Sequence, residues 1–168
     1  ILSTHEYKDQ DIKNCIRLLK MACDKGHIKS MGKFGEYLVE DGIIQHNYKK
    51  ALKYINIAKR ENDERAMTIY GYMHQNGYGV PINYAKAIKY YKKAADKGDS
   101  YAMYLYANTF RGGIGVDIDF EKAIKFYKLS IDNGNHMSMN DYACMLFDGQ
   151  GVEANIEEAI KYFKKAID

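Results

Sequence analysis

The chain has 168 residues, 46% of them hydrophobic, and its 25 lysines and arginines against 22 aspartates and glutamates leave a net charge of only +3. No run approaches the ~18 consecutive apolar residues of a membrane-spanning helix, and the three cysteines (Cys15, Cys23, Cys144) form no disulfide pattern. There is no low-complexity stretch, and the single proline, Pro81, follows a turn.

Taken in chain order, the segment 12–25 reads as a helix with Asp11 at its N-cap and Gly26 beyond its end. Cys15 there takes a small, buried position. A shorter helix over 29–40 leads into Asp41-Gly42-Ile43-Ile44, expected to be an unusual turn, and Asn47 then caps a helix over 48–61 that stops at Asn62. The same pair recurs as 64–76 and 84–97, as 100–111 and 120–133, and as 136–147 and 156–167. Asn83, Asp119 and Asn155 stand at the later N-caps, where a side-chain oxygen can accept from a free backbone N–H. Gly98 and Gly134 suit the left-handed position after a helix, as Gly26 and Asn62 do. Between the helices of a pair lie Gly77-Tyr78-Gly79-Val80, Gly113-Ile114-Gly115-Val116 and Gly149-Gln150-Gly151-Val152, where glycine supplies positive φ for a sharp reversal.

The recurrence has a fixed period. Ala51, Ala87, Ala123 and Ala159 are each 36 residues apart; so are Met31, Met67, Met103 and Met139, and the small residues Gly35, Gly71, Ala107 and Ala143. A period of this length marks a stack of helical units in which neighbours bury each other's apolar faces. The expected fold is therefore all-α, a solenoid of 36-residue helix-turn-helix repeats. It forms one array over 1–168, with a partial repeat at 1–28 and repeats at 29–64, 65–100, 101–136 and 137–168. Because Ile1 falls late in what would be a first helix, the segment is expected to come from a longer protein.

These residues resemble the Sel-one-like repeat, a relative of the tetratricopeptide repeat with a longer turn. The unit beginning at Ala66 carries the resemblance through Gly71, Gly77, Gly79, Val80, Lys86, Ala87, Tyr90, Tyr91, Lys93, Ala94, Ala95 and Gly98. Departures are an aromatic ring at the usual leucine position (Phe34, Tyr70, Tyr106, Tyr142) and His74 where tyrosine is usual. The resemblance covers 29–168 and the second helix before it. It implies a right-handed α-solenoid with a tetratricopeptide-like superhelix that acts as an adaptor or scaffold, with no chemistry and no cofactor. Some secreted relatives carry a disulfide in each unit; here no cysteine follows the period, so a reducing compartment and a cytoplasmic location are expected.

Catalytic and metal readings fail on spacing. The five histidines form no pair four residues apart, and none stands with cysteines at zinc spacing. Gly77-x-Gly79 lacks the preceding strand and the lysine-serine pair of a phosphate loop. His74 falls on a core-facing arc, as a hydrogen-bonded packing residue. Lysines crowd the outer face of the second helices (Lys49, Lys50, Lys53; Lys86, Lys89, Lys92, Lys93; Lys122, Lys125, Lys128; Lys161, Lys164, Lys165). With only four arginines in the chain to make bidentate phosphate contacts, this stripe reads as a solvated face and nucleic acid is set aside.

A second arc of the first helices differs in composition. It holds Lys29, Gly32, Glu36 and Val39; Arg65, Thr68, Tyr72 and Gln75; Tyr101, Tyr104, Asn108 and Arg111; Met137, Asn140, Cys144 and Phe147. The resemblance places this arc in a concave groove, and tyrosine and arginine are enriched where binding energy concentrates. The partner-binding candidates are Glu36, Arg65, Tyr72, Gln75, Tyr101, Tyr104, Asn108, Arg111, Asn140 and Phe147. Tyr72, Tyr101, Tyr104 and Arg111 are expected to share one patch. The function expected is a non-enzymatic interaction module that holds a protein or peptide segment. The alternative is a regulatory or spacer array attached to a catalytic domain, such as a kinase-like one, outside this segment. Uncapped end units also suggest end-to-end self-association.

Overall fold

A computed structural model describes residues 4–39 and 45–167, with side chains from residue 11 onward. Among the described residues there are nine α-helices and no strands: α1 (Thr4–Asp24), α2 (Ile28–Tyr37), α3 (Tyr48–Arg60), α4 (Glu64–Asn76), α5 (Tyr84–Ala95), α6 (Ser100–Gly112), α7 (Phe120–Asp132), α8 (His136–Asp148) and α9 (Ile156–Ile167). They gather into two compact units, Ile1–Asn83 and Tyr84–Asp168.

In the first unit α2 packs on α1, α3 and α4, and α3 also packs on α4. Phe34, Ile55, Ile69 and Met73 fill its core. The small residue Gly35 lets α3 approach: a Cβ added there would overlap the Ile55 side chain. In the second unit α6 packs on α5 and α7, and α8 on α7 and α9, around Tyr91, Leu105, Tyr127, Met145 and Leu146. Ala107 and Ala143 are fully buried at the small positions.

Local chemistry explains the helix ends. Asn47, Asp119 and Asn155 each accept, through the side-chain oxygen, from the backbone N–H three residues on, at 2.9, 2.9 and 3.0 Å. Their own backbone N–H groups donate to Leu38, Phe110 and Leu146 carbonyls at the end of the preceding helix, and Asn83 does the same to His74. Gly26, Asn62, Gly98 and Gly134 all take positive φ, between 62° and 92°. The turn glycines have a second constraint. Gly79, at φ +70°, would place a Cβ 2.7 Å from that of Tyr48, and the same addition at Gly115 or Gly151 would overlap Tyr84 or Phe120. Each turn is thus clamped under the first ring of the preceding second helix.

Three expectations change. Asp11 does not cap a helix; α1 begins at Thr4 and Asp11 lies inside it. Cys15 is exposed, because no first helix of its own unit covers that side of α1 among the described residues. α2 ends at Tyr37, short of residue 40, and the turn expected at 41–44 lies outside the described residues.

Candidate functional site

The first helices are held by caps that the sequence reading overlooked. His27, Asp63, Asp99 and Asn135 each accept from the backbone N–H three residues ahead, in Ser30, Ala66, Ala102 and Ser138. Their signal was present: all four follow the glycine or asparagine stop at the 36-residue period. These caps fix where each first helix starts, and so which side chains reach its free arc.

On the first unit, acid-base pairs join α2 to α4 across that arc. Glu36 is buried, and its Oε2 receives the Arg65 guanidinium at 2.7 Å and the Lys33 ammonium at 3.0 Å. Lys29 pairs with Glu64 and stands 3.6 Å from the buried Asp63 carboxylate. Gly32, Val39 and Thr68, which the arc reading left open, are buried; a Cβ on Gly32 would run into Asp63, so α4 already occupies that space. Tyr72 stands edge-on to Tyr78, whose ring stacks on Tyr48 at 4.9 Å, and Gln75 is half-buried. His74 is buried, with Nδ1 3.1 Å from the Pro81 carbonyl and its ring edge-on to Tyr70.

The second unit brings together Tyr101, Tyr104, Asn108 and Arg111. Tyr101 and Tyr104 stack with centroids 6.0 Å apart, and Tyr104 lies 6.3 Å from the buried Tyr127. The Tyr127 hydroxyl donates to Asn108 Oδ1 and also interacts with Arg111. Arg111 Nε donates to Gln150 at 3.3 Å, and its guanidinium stands 3.7 Å from the Asp141 carboxylate. Burial pushes the Tyr104 and Tyr127 phenols up, Tyr127 well above the ordinary tyrosine range, so both rings are neutral at ordinary pH. Asn140 and Phe147 are exposed, the latter by 54%. A hollow of about 380 Å³ opens beside Tyr104, Met137, Asn140, Asp141 and Phe163. Tyr72 belongs to the first unit.

The outer lysines do more than solvate. Lys50, Lys122 and Lys128 of the stripe stand over the rings of Phe34, Phe110 and Tyr142, 4.0 to 5.3 Å from the centroids, and Lys59 outside it stands 3.2 Å from that of Tyr70. These cation–π contacts put the stripe partly to work in packing. Among the described residues, no group of three or more histidines, cysteines or acids is placed to hold a metal, and no helix is long and apolar enough to cross a membrane.

No curated protein matches the chain significantly. Among solved structures, a Sel1 repeat protein from Oxalobacter formigenes superposes with a TM-score of 0.81 at 31% identity, over 90% of this chain and 61% of that one. The protective antigen c5321 of uropathogenic Escherichia coli, which displays an SLR fold, gives 0.75 at 26% identity, over 90% of this chain and 32% of that one. Helicobacter pylori cysteine rich protein B, at 23% identity and a TM-score of 0.57 over 77% of this chain and 93% of that one, shares the fold. The chain thus spans less than two thirds of the length of the first two. The Sel1 repeat model matches residues 6–27, 30–63, 64–99, 100–135 and 136–168. With these matches spanning nearly its whole length, the chain belongs to the Sel1 repeat family.

Proposed function

We propose that this chain is a non-enzymatic interaction module, and that the free arc of α6 in the second unit holds a peptide or protein segment. Sel1 repeats generally mediate protein–protein interaction, which supports the class of function. The observation that carries the choice of surface is the Tyr101–Tyr104 stack beside Arg111. Stacked rings offer rigid area with few rotors to freeze, and a guanidinium fork suits a carboxylate. Here the fork is prepositioned by Gln150 and Asp141, so an incoming carboxylate competes with Asp141 for a group already in place. Asn108 is oriented by the Tyr127 hydroxyl, and its amide nitrogen can donate to a backbone carbonyl. On the same reading Asn140 and Phe147 extend the surface along α8; the first unit has its own candidates in Glu36, Arg65, Tyr72 and Gln75, of which Glu36 and Arg65 are paired with each other.

A short segment should bind at about micromolar strength, roughly −8 kcal/mol. The test is capture of a partner on the immobilised chain, followed by titration of the captured segment. Tyr104→Ala and Arg111→Gln should each weaken binding at least tenfold with helicity intact, while Lys89→Ala and Lys125→Ala leave it unchanged. Equal loss from the two lysine variants would move the binding surface to the outer face and overturn the proposal.

A further inference from the structure

The second helices carry a stripe of charge that recurs with the 36-residue period, and α3 breaks it. Four side chains per helix share the stripe, at steps of four, three and four residues, which keeps them on one narrow arc. On α7 it holds Glu121, Lys125, Lys128 and Asp132, and the last repeat has Glu157, Lys161, Lys164 and Asp168 at the same places. Both of these sum to zero. On α5 the stripe is Ala85, Lys89, Lys92 and Asp96, and on α1 it is Lys13, Arg17, Lys20 and Asp24. There the closing aspartate pairs with the lysine one turn back: Lys92 donates to Asp96 at 2.6 Å, and Lys20 to Asp24 at 2.7 Å. On α3 the stripe is Lys49, Lys53, Asn56 and Arg60, with three cations and no acid. The periodic lysine–aspartate pair has become Asn56 and Arg60.

Packing leaves these cations uncompensated. Lys49, Lys53 and Arg60 are exposed and enter no ion pair among the described residues. The other lysines of α3 are engaged: Lys50 stands over Phe34, and Lys59 stands over Tyr70 and donates to Asn56 Oδ1 at 3.0 Å. Asp24 of α1 receives the Tyr54 hydroxyl of α3 but is held by Lys20. Glu61 is the C-cap of α3, about 100° round the axis from Arg60. The arrangement also works against the helix. Lys49 and Lys50 stand in its first turn, at the positive end of the macrodipole, and Lys49 and Lys53 are like charges four residues apart. α7 and α9 place glutamates in that turn, and acids serve solubility at least as well.

We propose that the α3 stripe docks an acidic helical segment of a partner protein. Charge complementarity selects that occupant. Lys49, Lys53 and Arg60 spread over about 16 Å of helix, and carboxylates at steps of four and seven residues on a facing helix fall at the same rises. Asn56 lies between them, its amide nitrogen able to donate to a further carboxylate. Lysine is a point charge without a fixed fork, which suits single carboxylates, whereas a phosphate backbone favours arginine. Since α3 belongs to the first unit, this is a second surface beside the α6 arc of the second.

The probe is a labelled, stapled helical peptide with glutamates at those steps, titrated with the whole chain by fluorescence anisotropy. Exposed ion pairs are weak, so a Kd on the order of 0.1–1 mM is expected at about 20 mM salt, weakening several-fold at about 150 mM as screening tightens. Arg60→Asp gives α3 the residue that the other stripes carry. It should weaken binding about tenfold, and Lys49→Gln or Lys53→Gln about threefold each, all with the circular dichroism of the parent. Lys125→Ala, on the self-neutralised α7 stripe, should leave binding unchanged. Absence of saturable binding at low salt would overturn the proposal, as would indifference to Arg60→Asp or an equal loss from Lys125→Ala. Tighter binding of a thymidine oligonucleotide of equal charge would overturn it in favour of nucleic acid, and tighter binding of phosphatidylserine vesicles in favour of a lipid surface.

Discussion

The two units support the same helical frame with different chemistry along one arc. In the first, ionic pairs cross from α2 to the start of α4: Arg65 on the buried Glu36, which Lys33 of α2 also meets, and Lys29 on Glu64 and Asp63. In the second, the corresponding stretch holds the Tyr101–Tyr104 stack, an Asn108–Tyr127 hydrogen bond and the Arg111–Asp141 contact. Position for position, Glu36 corresponds to Asn108 and Arg65 to Tyr101. The period fixes where a side chain stands, and its identity decides whether that place joins neighbouring helices or offers aromatic surface. The first unit uses the arc for internal cohesion, and the second is the better candidate for a partner.

The largest effects should come from the frame the units share. Gly151→Ala combines a φ of +71° with overlap on Phe120, and should cost about 2–4 kcal/mol from backbone strain plus overpacking. The matching Gly79→Ala in the first unit meets the same two penalties. Urea unfolding of both would show whether the units depend equally on their turns; parent-like stability in either would remove the clamp from the account. Next come the small positions. Gly35→Val should overpack against Ile55, and Ala107→Leu should overpack a fully buried site, each by about 1–3 kcal/mol.

The contrast itself is tested by the polar pairs. Glu36→Ala strands no fully buried cation, since the Arg65 side chain is 45% exposed, so a loss of about 1 kcal/mol is expected, carried by the hydrogen bonds of a buried acceptor. A double-mutant cycle of Glu36 with Arg65 should show coupling, while one of Glu36 with Lys89 should not. Zero coupling in the first cycle would reduce the difference between the units to packing alone.

Alkaline pH should separate the units more gently. Burial pushes the Cys23 thiol up to about 11 from 9.0, and raises Tyr104 and Tyr127 above 10.0. A raised folded pKa favours the neutral form. Its stabilisation is complete below the unfolded value and is lost as pH climbs through the folded one. The first unit should therefore begin to weaken above about pH 9 through Cys23, and the second above about pH 10 through its tyrosines. Hydrogen exchange of amides in each unit between about pH 8 and pH 11, corrected for the intrinsic rate, would follow both. Cys23→Ala should abolish the earlier step, and persistence of that step would assign it to another group.

Much of the frame was legible because a cap, a stop and a small residue each announce themselves by type and recur at one spacing. Asn62 in the left-handed region and the paired turn glycines follow from residue chemistry alone. Cys15 and Asp11 were misplaced because periodicity assumes that every unit has the same neighbours, and α1 lacks its own first helix among the described residues. The burial of Glu36, Gly32 and Thr68 was hidden for a related reason. Whether an arc stays open depends on how closely the adjacent helix approaches, and that distance is set by residues in another repeat, such as Asp63 at Gly32. Side-chain composition marked the second unit's tyrosines, but their hydrogen-bonded fixing by Asn108, Arg111 and Asp141 required coordinates.

Each ring-on-glycine clamp joins residues separated by 31 positions: Tyr48 to Gly79, Tyr84 to Gly115, Phe120 to Gly151. A cut at the repeat boundaries 64/65, 100/101 or 136/137 therefore passes through one clamp, leaving a ring on one side and a glycine on the other. A whole repeat inserted there brings a glycine for the ring ahead of it and a ring for the glycine behind it, so both halves are matched again. The array can lengthen or shorten by complete units with its turns intact. A shift of even one residue would set a side chain where only a hydrogen fits, so genetic rearrangement of such a chain is quantised in steps of 36.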